Sequence, residues 1–205
     1  MPERILAVHF PKASGSSLQV QFVQLLGDKV LVDYSHDPMT EAGREQAEFP
    51  AGRQMVFGHF APRRFGSVSA YRLTFLRQPV DNLISIYYYW LGLTEPGNAT
   101  HARFLRERPS IFEFAAYPGI ARLMSETYFG GFDMRRFDFI GFYENRDADI
   151  ARLSASIGLQ LMPEVHQNRT EPDAGRLELE ADATAQRRLT GLLAADVAFY
   201  DRMRG

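Results

Sequence analysis

The sequence contains no cysteine, which excludes disulfide cross-links and thiolate metal sites alike. Lysine is nearly absent as well: Lys12 and Lys29 are the only two, and every other basic side chain is arginine. Neither sign of charge prevails, since 23 Lys and Arg stand against 25 Asp and Glu for a formal net charge of -2. The broad basic field that nucleic acid or an anionic membrane surface demands is therefore missing, and any anionic partner must be held by a local site. No apolar run is long enough to cross a bilayer. MPER passes directly into an apolar strand, without the basic start, apolar segment and cleavage site of a secretory leader. A cytoplasmic protein is the expectation, and the arginine bias points to a bacterial one. Nothing in the composition fixes an oligomeric state.

What is present is enough apolar material, 45% of 205 residues, to fill one core, so residues 1–205 are expected to form a single domain. Short β-rich runs alternate with segments of helical period. RILAV (4–8), KVLVDY (29–34), QMVFGH (54–59), YRLTFL (71–76) and FDFIGFY (137–143) read as strands, several nearly continuous in apolar residues, as strands covered on both faces are. Leu18, Phe22, Leu25 and Leu26 recur at helical spacing before Gly27, and Pro79 opens a helix with Val80, Leu83, Ile84, Tyr87, Tyr88 and Leu91 on one stripe. Further helices are expected over 110–130, 146–157 and 183–203, with TEPGNATH (94–101) a loop. The class is α/β, a mostly parallel central sheet flanked by helices.

The stretch HFPKASGSSLQV (9–20) joins the first strand to the first helix. A strand, a small-residue turn and a helix N-terminus bring unpaired N–H groups together with the positive end of the helix dipole, a P-loop-like anion site. Gly15 lets the backbone approach a ligand, the hydroxyls of Ser14, Ser16 and Ser17 supply donors, and Lys12 adds a compact movable charge. A serine-capped helix beside an exposed lysine explains the same residues. The lysine precedes the small residues, unlike the order G-x-x-x-x-G-K-[ST] of nucleoside triphosphate loops. A second stretch, RLTFLRQPVDNLISIYYYW (72–90), places Arg77 at the end of a strand and Ser85 eight positions on, in the helix. An arginine there can fork onto a second phosphate, with a helix serine completing its coordination.

Together, PKASGSS and FLRQPVDNLISIYYY resemble the two nucleotide motifs of sulfotransferases that use 3'-phosphoadenosine 5'-phosphosulfate (PAPS), in particular the carbohydrate-modifying branch that includes heparan-sulfate 2-O-sulfotransferases. The resemblance implies a sulfotransferase architecture and transfer of a sulfuryl group to an acceptor hydroxyl, on a carbohydrate, with 3'-phosphoadenosine 5'-phosphate (PAP) as the product. It implies Lys12 at the bridging oxygen, Ser14, Gly15, Ser16 and Ser17 as the 5' loop, and Arg77 and Ser85 at the 3'-phosphate. HQNRTE (166–171) is similar to the family's loop over the nucleotide, which makes Arg169 and Thr170 further candidates and adds His166 to the same loop. Departures are Ala13 and Ser14 for Thr-Gly, Gln78 for Asp, and Asn82 for a basic residue.

No acidic cluster with metal-ligand spacing is present, and none is needed: a lysine and helix-end amides can carry the charge of a leaving phosphate. A base for the acceptor's proton is needed. His59, in VFGHFAPRRFG just past a strand end, matches the family's histidine; a packed histidine is the alternative. A carboxylate in 35–53 is the next candidate for the base. His9 is expected to be buried at its strand end, with His36 and His101 in polar loops. Arg63 and Arg64 are candidates to receive an acidic acceptor, against the simpler reading of a solvated basic turn. Tyr87, Tyr88, Tyr89 and Trp90 read mostly as core. Two rival functions remain at this point: a P-loop-like kinase, which would require magnesium and a nucleoside triphosphate, and a non-catalytic nucleotide-binding module.

Overall fold

The computed structural model describes residues 1–40, 45–163 and 174–205. Five strands, β1 (Ile5–Val8), β2 (Val30–Asp33), β3 (Met55–Gly58), β4 (Tyr71–Leu76) and β5 (Phe139–Phe142), form one sheet in the order β2-β3-β1-β4-β5. Every pairing is parallel, with Ile5 in register with Met55 on one side and Tyr71 on the other. Each of the five expected strands is present: 71–76 has the expected bounds, and the other four are shortened by one to three residues. β1 and β3 are buried at every position. That is why their sequences carry no polar alternation, and each fully buried Leu, Ile, Val or Phe there contributes about 1.5–3 kcal/mol.

The helices are α1 (Gly15–Leu26), α2 (Pro79–Leu91), α3 (Ala99–Glu107), α4 (Ile111–Ala115), α5 (Arg146–Ile157), α6 (Ala174–Ala181), α7 (Ala183–Leu192) and α8 (Ala194–Arg204). Gly27 ends α1 with a positive φ of 57°, as the sequence suggests. In α2 the substitution of Gln78 for aspartate keeps the cap: its side chain accepts the Asp81 N–H at 2.9 Å, and Pro79 occupies the first turn.

Three expectations change. The segment 110–130 is not one helix: Pro118 and Gly119, the latter at φ 84°, break it after α4, and Leu123–Tyr128 forms a π-helical turn. Buried Asp196 of α8 holds that turn, accepting the Met124 and Ser125 N–H groups at 2.8 Å each and the Ser125 hydroxyl at 2.5 Å. The segment 183–203 divides at Leu193, whose backbone leaves helical torsion while its side chain enters the core. The loop at 94–101 ends early, because the Asn98 side chain accepts the His101 N–H and starts α3. His101 is thus a buried helical residue stacked near Trp90, not a loop residue. Among the described residues no helix is long and apolar enough to cross a membrane.

All five strands point the same way, so the segments leaving their C-terminal ends gather along one edge. Chain order passes from β1 outward to β2, returns to β3, and then crosses β1 to β4. The crevice of such a sheet opens where the order reverses, beside β1.

Candidate functional site

The segment after β1 turns sharply. Lys12 and Ser14 both take left-handed backbone torsions, with φ of 57° and 76°, which costs on the order of 1 kcal/mol or more for each non-glycine residue. Two contacts from the next βα unit hold the turn: the Asn82 amide donates to the Pro11 carbonyl at 2.7 Å, and the Arg77 guanidinium donates to the Lys12 carbonyl at 3.3 Å. Asn82 therefore ties α2 to the loop where the resembling family has a basic side chain. Ser14 stands at the N-cap of α1 without bonding the first turn, and its buried hydroxyl has no partner among the described residues. A buried hydroxyl left in this way is a donor waiting for an acceptor.

Gly15 has a packing reason beyond the one expected. A Cβ there would lie 1.8 Å from the His9 ring, so the glycine is the surface on which that ring rests.

The basic side chains crowd one end of the edge. The Lys12 ammonium sits 4.3 Å from the centre of the Tyr89 ring, and Arg77 stacks at 4.2 Å on Tyr143, which follows β5. Burial, then Arg77, then Arg176 push the Lys12 pKa down; burial foremost also lowers that of Arg77, with Arg176 adding repulsion. Cations held together at such cost are stabilised by an anion placed among them. Ser85, buried on α2, faces the same space, as do Arg146 at the start of α5 and Arg176 of α6, the latter paired with Glu180 at 2.8 Å.

The other end is aromatic. His9 Nδ1 lies 2.9 Å from the Tyr34 hydroxyl, and the His9 and His59 rings stack with centroids 4.4 Å apart. His59 Nδ1 lies 2.7 Å from the hydroxyl of Tyr128, the last residue of the π-helical turn. Burial drives the His59 pKa down to about 4, opposed by a hydrogen bond to the His9 main chain; burial first, then His59 and Lys12, holds His9 well below the ordinary histidine range. Both imidazoles are therefore neutral near pH 7. Tyr128 is pushed well up, by burial first and then by Asp37 and Tyr34.

These two ends share one cavity of about 850 Å³. Lys12, Ser14, Gly15, Ser16, Ser17, His59, Arg77 and Ser85 all line it, so residues from three separate strand ends meet as one site. Arg63 and Arg64 do not line it. They lie in a short turn, Pro62–Phe65, where Arg63 donates to the Gly130 carbonyl at 2.9 Å and buried Arg64 to the Glu45 carbonyl at 3.0 Å. Their guanidinium groups tie main-chain segments together, and neither the solvated basic turn nor a place in this cavity describes them. Arg169 and Thr170, with His166, fall outside the described residues. His36 is held by Asp33 at 2.6 Å. Among the described residues no group of three or more His, Asp or Glu is placed to hold a metal ion.

Several lining residues escape the sequence reading: Tyr34, Tyr128, Tyr143, Arg146 and Arg176; Asp37 falls in the 35–53 segment from which a carboxylate is a candidate for the base. Tyr34 and Tyr143 could have been found, since each stands at the C-terminal end of a recognised strand. Tyr128 could not, because nothing in the sequence announces a π-helical turn.

No protein-family model matches the chain, and no curated protein matches it by sequence. Among solved structures it is similar to a sulfotransferase from Alicyclobacillus acidocaldarius, at 16% identity and a TM-score of 0.46, over 95% of this chain and 96% of that one. It is also similar to a mouse sulfotransferase complexed with PAP, at 15% identity and a TM-score of 0.42, over 91% of this chain and 63% of that one.

Proposed function

We propose that the chain is a PAPS-dependent sulfotransferase that transfers a sulfuryl group to an acceptor hydroxyl. The observation that carries this reading is the meeting, in one cavity, of two separate anion-binding units: the Lys12–Ser17 turn at the α1 N-terminus, and Arg77 with Ser85 across the β4–α2 junction. Two such units suit a nucleotide phosphorylated at both ends of its ribose. The 5' end belongs with Ser14, Gly15, Ser16 and Ser17, and the 3'-phosphate with Arg77 and Ser85. Arg169 and Thr170 remain assigned to the nucleotide on the motif alone.

PAPS supplies the sulfuryl group. In the transfer an acceptor O–S bond forms, the S–O bond to the bridging phosphate oxygen breaks, and that bond's electron pair leaves on the phosphate. Lys12 stabilises the departing oxygen, a charge that grows as the bond breaks. His59 takes the hydroxyl proton. For that role the neutral imidazole, which carries a single N–H, offers the lone pair of its other ring nitrogen. The carbohydrate acceptor implied by the sequence resemblance finds no support in the placement of Arg63 and Arg64, which lie away from the cavity.

Thermal stabilisation by nucleotides tests the assignment. PAP should raise Tm well beyond AMP at equal concentration, because only a ligand with the 3'-phosphate engages both units. Equal shifts from AMP and PAP, or a preference for magnesium-ATP, would replace the assignment with a kinase-like one. PAP binding without release of PAP from PAPS in any acceptor screen would leave a binding module.

A further inference from the structure

The cavity has a charge polarity that the nucleotide does not use. Its four lining cations among the described residues, Lys12, Arg77, Arg146 and Arg176, belong to the end formed by β1, β4 and β5. Two carboxylates also line it. Glu180 is neutralised by Arg176 at the basic end. Asp37 stands at the other end, beyond β2, and there it meets no cation among the described residues. Its partners are the Met39 N–H, which donates to Oδ1 at 2.8 Å, and the Asn98 side chain, which also donates. Asn98 is itself fixed, since its oxygen accepts the His101 N–H at the start of α3. The carboxylate is thus oriented by two neutral donors and has no ion-pair partner among the described residues. Burial raises its pKa, and its field reaches Tyr128.

Tyr128 lies within the field of Asp37 and of Tyr34, Trp90 packs against His101 beside Asn98, and all three aromatic residues line the cavity with Leu123. Aromatic faces beside a fixed carboxylate are the chemistry of ammonium recognition: ring quadrupoles and the carboxylate attract a cation together, and the apolar surface rewards a desolvated organic body. The same arrangement repels an anion. A uronate or phosphorylated sugar would bring its charge against Asp37, which has no cationic partner among the described residues.

We propose that the acceptor is a hydroxyl compound with an apolar, planar body and a basic nitrogen, and that Asp37 is the specificity residue that receives its ammonium group. This rests on the sulfotransferase reading of the same cavity, with PAP or PAPS filling the basic end and the acceptor filling the aromatic one.

Three para-substituted phenols of similar size isolate the charge: tyramine, tyrosol and para-hydroxyphenylacetate, which end in an ammonium, a hydroxyl and a carboxylate. Binding of each to the PAP-saturated protein is measured by titration calorimetry, so that the outcome does not depend on turnover. Tyramine should bind at least about tenfold more tightly than para-hydroxyphenylacetate, with tyrosol between. Asp37→Asn, checked for folding by its thermal shift with PAP, should draw the three together to within about twofold. Sulfuryl transfer from labelled PAPS should follow the same order. Equal or reversed affinities in the unaltered protein overturn the proposal, as does an order that survives Asp37→Asn. Loss of transfer to all three phenols in Asp37→Asn, with the binding order intact, would make Asp37 the base and overturn it too. If PAP itself gives no thermal shift, the sulfotransferase reading fails, an outcome distinct from a PAP-binding protein that ignores acceptor charge.

Discussion

His59 Nδ1 and the Tyr128 hydroxyl lie 2.7 Å apart, joining the end of a central strand to a π-helical turn 69 residues later in the chain. The contact gives the imidazole a fixed ring orientation. Tyr128→Phe removes it without emptying the space. If His59 is the base, this variant should lower the sulfuryl-transfer rate by roughly tenfold while PAP affinity stays within about twofold; His59→Ala should cost about 100-fold or more. Unchanged rates in both variants would move the base elsewhere.

The depressed pKa of His59 has a pH consequence of definite sign. The folded value is about 4, against 6.5 for the free side chain, so below pH 6.5 the unfolded chain takes up a proton that the native state refuses. Stability from this group is complete above pH 6.5 and declines as pH falls toward 4, by at most about 1.4 kcal/mol per pH unit for one proton. His9, also lowered, acts in the same direction. Tm measured from pH 7.5 to 4.5 should fall, and His59→Gln should reduce the slope. In the free enzyme the acid limb of kcat/KM should lie well below the ordinary histidine range, and an acid limb at 6.5 would contradict this burial.

Lys12 is a compact cation on a left-handed residue. Lys12→Ala should reduce kcat more than PAP affinity, because the charge acts most strongly on the oxygen that departs. Lys12→Arg should restore little, since a longer side chain ending in a planar fork cannot place its charge where a compact ammonium meets the departing oxygen without moving. A Lys12→Ala enzyme with normal kcat would reduce the residue to a surface lysine.

Arg77 holds both a carbonyl of the β1 turn and its proposed phosphate. Arg77→Ala should weaken PAP by about 2–4 kcal/mol and AMP by much less, and calorimetry with the two nucleotides separates these effects. Equal losses for both would mean that the arginine serves only the turn.

Gly15→Ala places a methyl group inside the His9 ring. The variant should lose about 2 kcal/mol or more of stability unless the ring moves, and His9→Ala should relieve the clash. Denaturant unfolding of the two single variants and the double variant reads the coupling directly.

Much of this arrangement is legible in the residues themselves. β1 to β5 can be read because strands covered on both faces need unbroken apolar runs. Lys12 and the serine turn, Arg77 and Ser85 can be read because each follows such a run where a helix begins. His59 is readable on the same ground, by its place after β3. What stays hidden depends on contacts far apart in sequence. Tyr128 enters the cavity only because Asp196, in another helix, holds a π-helical turn that no local pattern encodes. Asp37 sits in a polar segment that resembles any loop, and only its tie to Asn98 turns it inward. Arg63 and Arg64 mislead for the converse reason: adjacent arginines in a turn look exposed, and only the folded chain reveals the carbonyls they bind.

The Asp196 clasp on the π-helical turn also sets an order of assembly during synthesis. The strands, the serine turn and α2 can emerge while α8 is still unmade, yet the Asp196 bonds that hold the turn carrying Tyr128 cannot form until residue 196 has been added. A nascent chain halted at α7 would hold its nucleotide-facing half without a finished acceptor wall. On the sulfotransferase reading proposed above, competence for transfer would therefore await the synthesis of α8.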